Sequence, residues 1–394
     1  MIRPFNIARL PRIVFGQGVI ARLPELAATF GANALVVTGA RSFQDSPYWE
    51  GLLTGLKARN VRWEVVRVAG EPSPQLVDDA VNSHRGGHWD VVIGIGGGSA
   101  LDAAKAIAGL LIPGNSVLDH LEGVGPERPY VGPAVPFIAV PTTAGTGSEA
   151  TKNAVLSTQG PNGFKKSFRD EKLVAEYAII DPDLLASCPR TVLAANGMDA
   201  FTQLLEAYVS SRANPMTDAL ALSGLEAARD GLLPWYEGTD DPVACRSRMA
   251  YAALLSGIAL AQVGLGSVHG LASPLGAFFP IPHGVVCGTL VAAATRVNVA
   301  ALRGRAPDSP ALRKYADVGR LLVRRDLADR DAIAALAETL DDWTRRLQLP
   351  RLSAFGIGQA DFPRIVANSR GSSMKTNPVV LTDAELSAVL EARL

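Results

Sequence analysis

Up to residue 184 the chain alternates two patterns of hydrophobic and polar positions. Short β-branched runs occupy residues 34–38 (ALVVT), 62–68 (RWEVVRV), 91–95 (VVIGI), 137–140 (FIAV) and 177–180 (YAII), with amphipathic stretches between them. Strand runs alternating with helical periods predict a parallel α/β sheet. Most of the runs end in Gly, Ser, Thr or Pro, and in an open parallel sheet ligands bind beyond such carboxyl ends. From Leu185 onward the β-branched runs fade, and Ala, Leu, Asp, Glu and Arg at helical spacing dominate, as in residues 217–233 and 331–347. That pattern predicts packed helices. The switch falls near Asp181-Pro182, so two domains are expected, an α/β domain over 1–184 and an all-α domain over 185–394. Residues 118–136, with their Gly and Pro, predict a long surface loop.

Composition narrows the class. At 394 residues the chain exceeds what one hydrophobic core usually supports. Hydrophobic residues make up 48% and charged ones 19%, with 38 basic against 38 acidic side chains, which excludes a disordered chain or a polyelectrolyte and gives no reason to expect nucleic acid. Residues 1–16 lack a continuous apolar stretch and a small-residue cleavage site, so no signal peptide is expected. The longest apolar run, 284–295, falls short of a membrane span. Cys188, Cys245 and Cys287 are odd in number and widely spaced, which fits reduced thiols and a cytoplasmic location.

The run at 91–95 leads into Gly96-Gly97-Gly98-Ser99 and then an apolar helical stretch. Glycines remove Cβ atoms and permit positive φ, so backbone N–H groups can approach a pyrophosphate at the helix N-terminus. Ser99 and Asp102 have the spacing of a capping box, with Lys105 one turn on. This is not the G-x-G-x-x-G fingerprint, because Ser99 stands where the last glycine would be. Taken alone it could be a tight turn without a ligand. A second segment changes the balance: the run at 137–140 leads into Pro141-Thr142-Thr143-Ala144-Gly145-Thr146-Gly147-Ser148-Glu149. Small hydroxyl donors gathered past a strand end suit a phosphate or carboxamide.

Five histidines occur, and two of them, His269 and His283, lie in apolar, glycine-flanked surroundings. A histidine there needs a partner to offset desolvation; a hydrogen bond or a metal ion would serve. His84 and His88 sit in a polar stretch and are expected at the surface. Gly197-Met198-Asp199 reads as the start of a helix on which Asp199 and Gln203, four apart, share a face. A carboxylate, a carboxamide oxygen and two imidazoles could make a four-coordinate divalent site.

Together these segments resemble the iron-containing alcohol dehydrogenase family. The carriers are Gly96-Gly97-Gly98-Ser99-x-x-Asp102-x-x-Lys105, the 141–149 loop, Asp181-Pro182, Gly197-Met198-Asp199-Ala200, and His269 through Pro282-His283-Gly284. The resemblance runs through nearly the whole chain. It implies a dehydroquinate synthase-like fold: an α/β dinucleotide-binding domain, an all-α C-terminal domain, and a cleft holding NAD(P) and iron or zinc. By resemblance, residues 96–99 and Asp102 belong to the pyrophosphate turn, Thr142, Thr143, Thr146 and Ser148 line the cofactor, and Lys165 lies near it. Asp199, His269 and His283 match metal ligands and, with the ion, the catalytic centre, and Gln203 stands at the remaining ligand position. Family members usually carry histidine there and again where this chain has Ser273. The reaction implied is interconversion of a primary alcohol and its aldehyde, the metal acting as a Lewis acid. A homodimer is the expected assembly.

Members of that family that select NAD carry an acid after the first main strand. Here Gly39 takes that place, followed by Arg41, a cation suited to a 2′-phosphate. NADP is therefore expected over NAD, with dual use open, unless Gly39 merely makes the turn and Arg41 points into solvent. Two related activities share the architecture, the metal-independent reduction of maleylacetate and the cyclisation by dehydroquinate synthases. The threonine-rich loop favours the alcohol dehydrogenase branch over both. A cofactor-binding protein that has lost catalysis is the non-enzymatic alternative.

Overall fold

The computed structural model describes residue 2 and residues 4–394; Met1 and Arg3, part of the segment read above for a leader, lie outside the described residues. The chain forms two compact units. One comprises Ala8–Thr158 and Lys165–Cys188; the other comprises Pro189–Leu394 with Gln159–Phe164 and the described part of Met1–Ile7.

The first unit is built on a parallel sheet. Its strands are β1 (Arg12–Phe15), β2 (Asn33–Gly39), β3 (Arg62–Val68), β4 (Val91–Gly96) and β5 (Phe137–Pro141), with β8 (Tyr177–Ile180) after a separate two-stranded pair, β6 (Asn153–Thr158) and β7 (Phe164–Arg169). The order across the sheet is β1-β8-β5-β4-β2-β3, and every pairing is parallel. Ala34, Val36, Ile93, Ile95, Ile138, Val140 and Ile179 bury against Leu23, Leu26, Leu52 and Leu56 from the helices Leu23–Ala28 and Tyr48–Ala58. The alternate residues Leu35, Val37, Val92, Ala139 and Ala178 are equally buried on the opposite face, where helix Gly98–Leu110 packs on β4. A sheet covered on both faces needs continuous apolar strands, which is why its central runs are legible in the sequence.

The second unit is helical. Helix Arg190–Val209 is its centre, packed by helices Pro215–Glu237, Pro242–Val263 and His283–Arg305. It begins seven residues before Gly197, after the extended Pro189, so the sequence reading of Gly197 as the helix start is corrected: Gly197 lies inside the helix and is buried. The apolar run 284–295 ends at Arg296, as the sequence shows, but helix His283–Arg305 extends beyond it, and by length and composition the whole helix could cross a membrane; 83% of its apolar window is buried within the fold, which marks it as a core helix.

Candidate metal centre and dinucleotide loops

In the helical unit three elements bring their polar side chains to one point. Asp199 projects from the middle of helix Arg190–Val209, His269 from the first turn of helix Ser267–Phe278, and His283 opens helix His283–Arg305. Gly284 allows the approach: a Cβ there would stand 2.5 Å from the carbonyl oxygen of Ala195, so only glycine lets the two helix backbones come this close. Asp199 Oδ1 lies 3.2 Å from His269 Nε2 and 3.8 Å from His283 Nε2. One turn beyond His283, Cys287 places its sulfur 3.5 Å from His269 Nε2 and 3.8 Å from His283 Nε2. The donor atoms of Asp199, His269, His283 and Cys287 all lie within 4.8 Å of one another.

Gln203 shares the Asp199 face, as its spacing predicts, and is buried. Its Nε2 donates to Asp199 Oδ1 at 3.4 Å, and its carbonyl oxygen accepts from Ser256 Oγ at 2.8 Å. Two side chains of the site escaped the sequence reading. In the sequence Cys287 reads as an ordinary reduced thiol, although His283-x-x-x-Cys287 has the spacing of neighbours on one helix face. Glu206, seven residues beyond Asp199 on the same helix, holds His269: its Oε2 meets His269 Nδ1 at 2.6 Å, and its Oε1 accepts from the Val268 N–H at 2.7 Å.

The electrostatics of the cluster are those of a buried charged group. Burial opposes the charge of Asp199, yet His283 and His269 hold its pKa below the ordinary carboxylate value. Burial likewise works against a charged His269 ring, and Cys287, Asp199 and Glu206 together outweigh it and raise its pKa well above normal. Burial pushes the Cys287 thiol up to about 12. Asp199 Oδ2 is buried and accepts no hydrogen bond among the described residues. A buried carboxylate oxygen without a donor is costly, and a cation beside it would supply the missing partner. Carboxylate, imidazole and thiol are donors for a divalent transition metal, so these residues fit such an ion.

In the α/β unit the two loops past β4 and β5 lie side by side. Thr142 N–H donates to Gly96 O, and a Cβ at Gly98 would stand 2.7 Å from Thr146 Cγ2, so the glycine lets the threonine loop close onto the helix start. Helix Gly98–Leu110 begins at Gly97 with no side-chain cap. The capping box expected from Ser99 and Asp102 is therefore absent: Ser99 lies within the first turn, and Asp102 turns inward. Asp102 accepts from Ser148 Oγ and from the Val155 N–H, while Lys105, fully buried, donates to Ser148 O (2.9 Å), Thr151 Oγ1 (3.0 Å) and Asn153 O (2.6 Å). This pair underpins the loop that carries Ser148. Uncapped N–H groups at a glycine-rich helix start, with Thr143 and Thr146 against them, fit a dinucleotide pyrophosphate.

The remaining predicted residues fall as follows. Gly39 ends β2, next to β4 in the sheet, and Arg41 just beyond it is 86% exposed, 3.8 Å from Asp45. Lys165 lies on β7, where its Nζ bonds Glu71 at 2.7 Å. His88 is exposed, as expected; His84 is mostly buried, with its Nδ1 at the Ala80 carbonyl and Trp89 beside its ring.

A parallel doubly wound sheet with an uncapped glycine turn, and a helical unit holding an Asp-His-His-Cys cluster, define a metal-type nucleotide-dependent dehydrogenase. The chain belongs to the iron-containing alcohol dehydrogenase family. Residues 11–182 match the family's iron-containing alcohol dehydrogenase model, and residues 193–394 match its C-terminal one. Alcohol dehydrogenase 4 of Schizosaccharomyces pombe is 33% identical over 97% of this chain and 87% of its own length. The NAD-dependent methanol dehydrogenase of Bacillus methanolicus is 29% identical over 98% of each. The alcohol dehydrogenase structure from Oenococcus oeni superposes with a TM-score of 0.88 at 27% identity, covering 99% of this chain and 100% of that one. Family and fold match metal-dependent, NAD(P)-dependent interconversion of alcohols and aldehydes, and the ligand cluster is in place for it.

Proposed function

We propose that the chain interconverts a primary alcohol and its aldehyde, with the α/β unit binding the dinucleotide and the helical unit holding the metal ion and the substrate oxygen. The buried Asp199-His269-His283 constellation, with an Asp199 oxygen that no donor satisfies among the described residues, carries this reading. When bound, the nicotinamide carries the hydride and a divalent ion supplies Lewis acidity. Asp199 brings negative charge into a buried site, Glu206 fixes the His269 ring, and the turn at Gly96, Gly97, Gly98 and Ser99 receives the pyrophosphate. Thr142, Thr143, Thr146 and Ser148 orient the rest of the cofactor, with Asp102 holding Ser148 in place. Lys165 is assigned to the cofactor's vicinity by family resemblance. Cys188, Cys245 and Cys287 form no disulfide among the described residues, in keeping with the proposed cytoplasmic location; the working assembly is a homodimer.

The test pairs metal analysis of the purified chain with NAD(P)-linked absorbance changes across a panel of aldehydes. Turnover with a stoichiometric divalent ion is expected. His269→Ala and His283→Ala should each lose the ion and the activity while still binding dinucleotide; unchanged metal content in both would remove them from the site. A chain that binds dinucleotide but turns over no aldehyde would be a lapsed enzyme.

For the dinucleotide we favour NADP, with Gly39 and the exposed Arg41 as its selectors, although the Bacillus methanolicus relative is named NAD-dependent. Without an acid at residue 39, nothing at that position repels a 2′-phosphate, and Arg41 can bind it bidentately. Arg41→Ala should lower kcat/KM for NADP more than for NAD, and Gly39→Asp should shift preference toward NAD. A clear NAD preference that Arg41→Ala leaves untouched would refute the assignment.

A further inference from the structure

We propose that Cys287 is the fourth metal ligand, bound as the thiolate, and that the resulting Asp-His-His-Cys set selects zinc over iron. The inference rests on the metal reading above and concerns which side chain completes the site. Bond lengths of about 2.0–2.3 Å to oxygen, nitrogen and sulfur place the donors of a tetrahedral zinc site about 3.2–3.6 Å apart. The distances from Asp199 Oδ1 and from Cys287 Sγ to the two imidazole nitrogens run from 3.2 to 3.8 Å. Four of the six donor–donor distances are thus close to tetrahedral values and all six are within 4.8 Å, so modest side-chain shifts, with a turn of the Asp199 carboxylate that brings Oδ2 into play, would seat an ion.

Gln203 has the opposite disposition. Its carbonyl oxygen, the one atom it could offer a cation, lies 2.8 Å from the Ser256 hydroxyl, whose single proton it shares with the Ala253 carbonyl, and its amide nitrogen faces Asp199. An amide N–H directed at Asp199 helps hold that carboxylate and does not ligate. Cys287 is fully buried, one turn from His283 on the same helix, and points at both imidazoles. On binding, the thiol proton is released to solvent and the sulfur takes up the metal bond. A thiolate among two imidazoles and one carboxylate is a softer donor set than one built on nitrogen and oxygen alone, and it moves preference toward zinc.

Cobalt(II) reports the donor directly, since a thiolate bound to it gives an intense near-ultraviolet charge-transfer band. The full-length chain is stripped with a chelator, reloaded with cobalt(II), and its metal content measured. The expected result is one cobalt per chain with the band present, kept in Gln203→Ala and lost in Cys287→Ala. Cys287→Ser, nearly isosteric, should also lose the band while keeping native circular dichroism. Its zinc affinity, read by competition with a chromophoric chelator, should fall by at least about tenfold. Bound zinc should also shield Cys287 from alkylation, as read by mass spectrometry. Stoichiometric cobalt without the band, or a band surviving in Cys287→Ala, overturns the ligand assignment and leaves the metal reading standing. A natively folded chain that takes up no cobalt or zinc overturns both.

Discussion

Glu206 touches no position where substrate or ion would sit, yet it decides which nitrogen His269 can offer. With its carboxylate at Nδ1, the ring keeps a proton there, and Nε2, which faces Asp199 and Cys287, is the nitrogen an ion would take by displacing the second proton that the raised pKa keeps on the ring. In Glu206→Gln the carbonyl can still accept from Val268 N–H, but the amide NH2 then meets Nδ1 and drives the proton to Nε2. The variant should keep its fold and lose about 10–100-fold in metal affinity, the usual scale for a histidine's supporting carboxylate. Chelator competition measures the affinity and thermal melting measures the fold. A fall in melting temperature with metal affinity intact would make Glu206 a packing residue instead. At this scale the sequence showed Asp199, His269 and His283 because carboxylate and imidazole in apolar surroundings are chemically conspicuous. It hid Cys287 and Glu206, because a buried thiol and a helical glutamate usually have no ligand, and only the packing of three helices gives these two a role.

Among elements, the helices Pro310–Val323 and Asp329–Arg346 meet at Gly319, where a Cβ would stand 1.9 Å from the carbonyl oxygen of Ala332. Gly319→Ala gains about 1 kcal/mol of helix propensity. The obstacle is backbone, which no rotamer change can move, so the helices must separate and the overpacking cost of about 1–3 kcal/mol or more should win. The variant should melt lower and unfold at lower denaturant concentration, with metal content retained; an unchanged or raised midpoint would contradict the packing. Legibility at this scale followed burial. The central strands β2, β4, β5 and β8 were visible as apolar runs, and β3 as a β-branched one. β1, mostly exposed, and β6 carry apolar runs of only three residues, IVF and AVL, too short to stand out, and β7, FKKSFR, carries none. The capping box at Ser99 failed for a different reason: Asp102 is worth more inside, where Ser148, Lys105 and Val155 surround it, than at the helix start.

For the whole molecule, the cluster joins helix Arg190–Val209 to the successive helices Ser267–Phe278 and His283–Arg305, which are remote from it in sequence; all three belong to one compact unit. An ion bound there holds all three. At a concentration a thousand times its dissociation constant it adds about 4 kcal/mol to the native state. Without it, Asp199 Oδ2 has no donor, and the free energy of opening these helices falls by the same amount. Hydrogen exchange followed by mass spectrometry should therefore show chelation speeding exchange in 193–209, 267–278 and the first turns of 283–305. Strands β4 and β5 and helix Gly98–Leu110 belong to the other unit, contribute no side chain to the cluster, and should keep their protection. If exchange stays unchanged in the three helices, the ion is not bound by them. If it rises equally in the sheet, the metal stabilises the chain as one cooperative unit, and the separate roles assigned to the α/β and helical units would have to be abandoned.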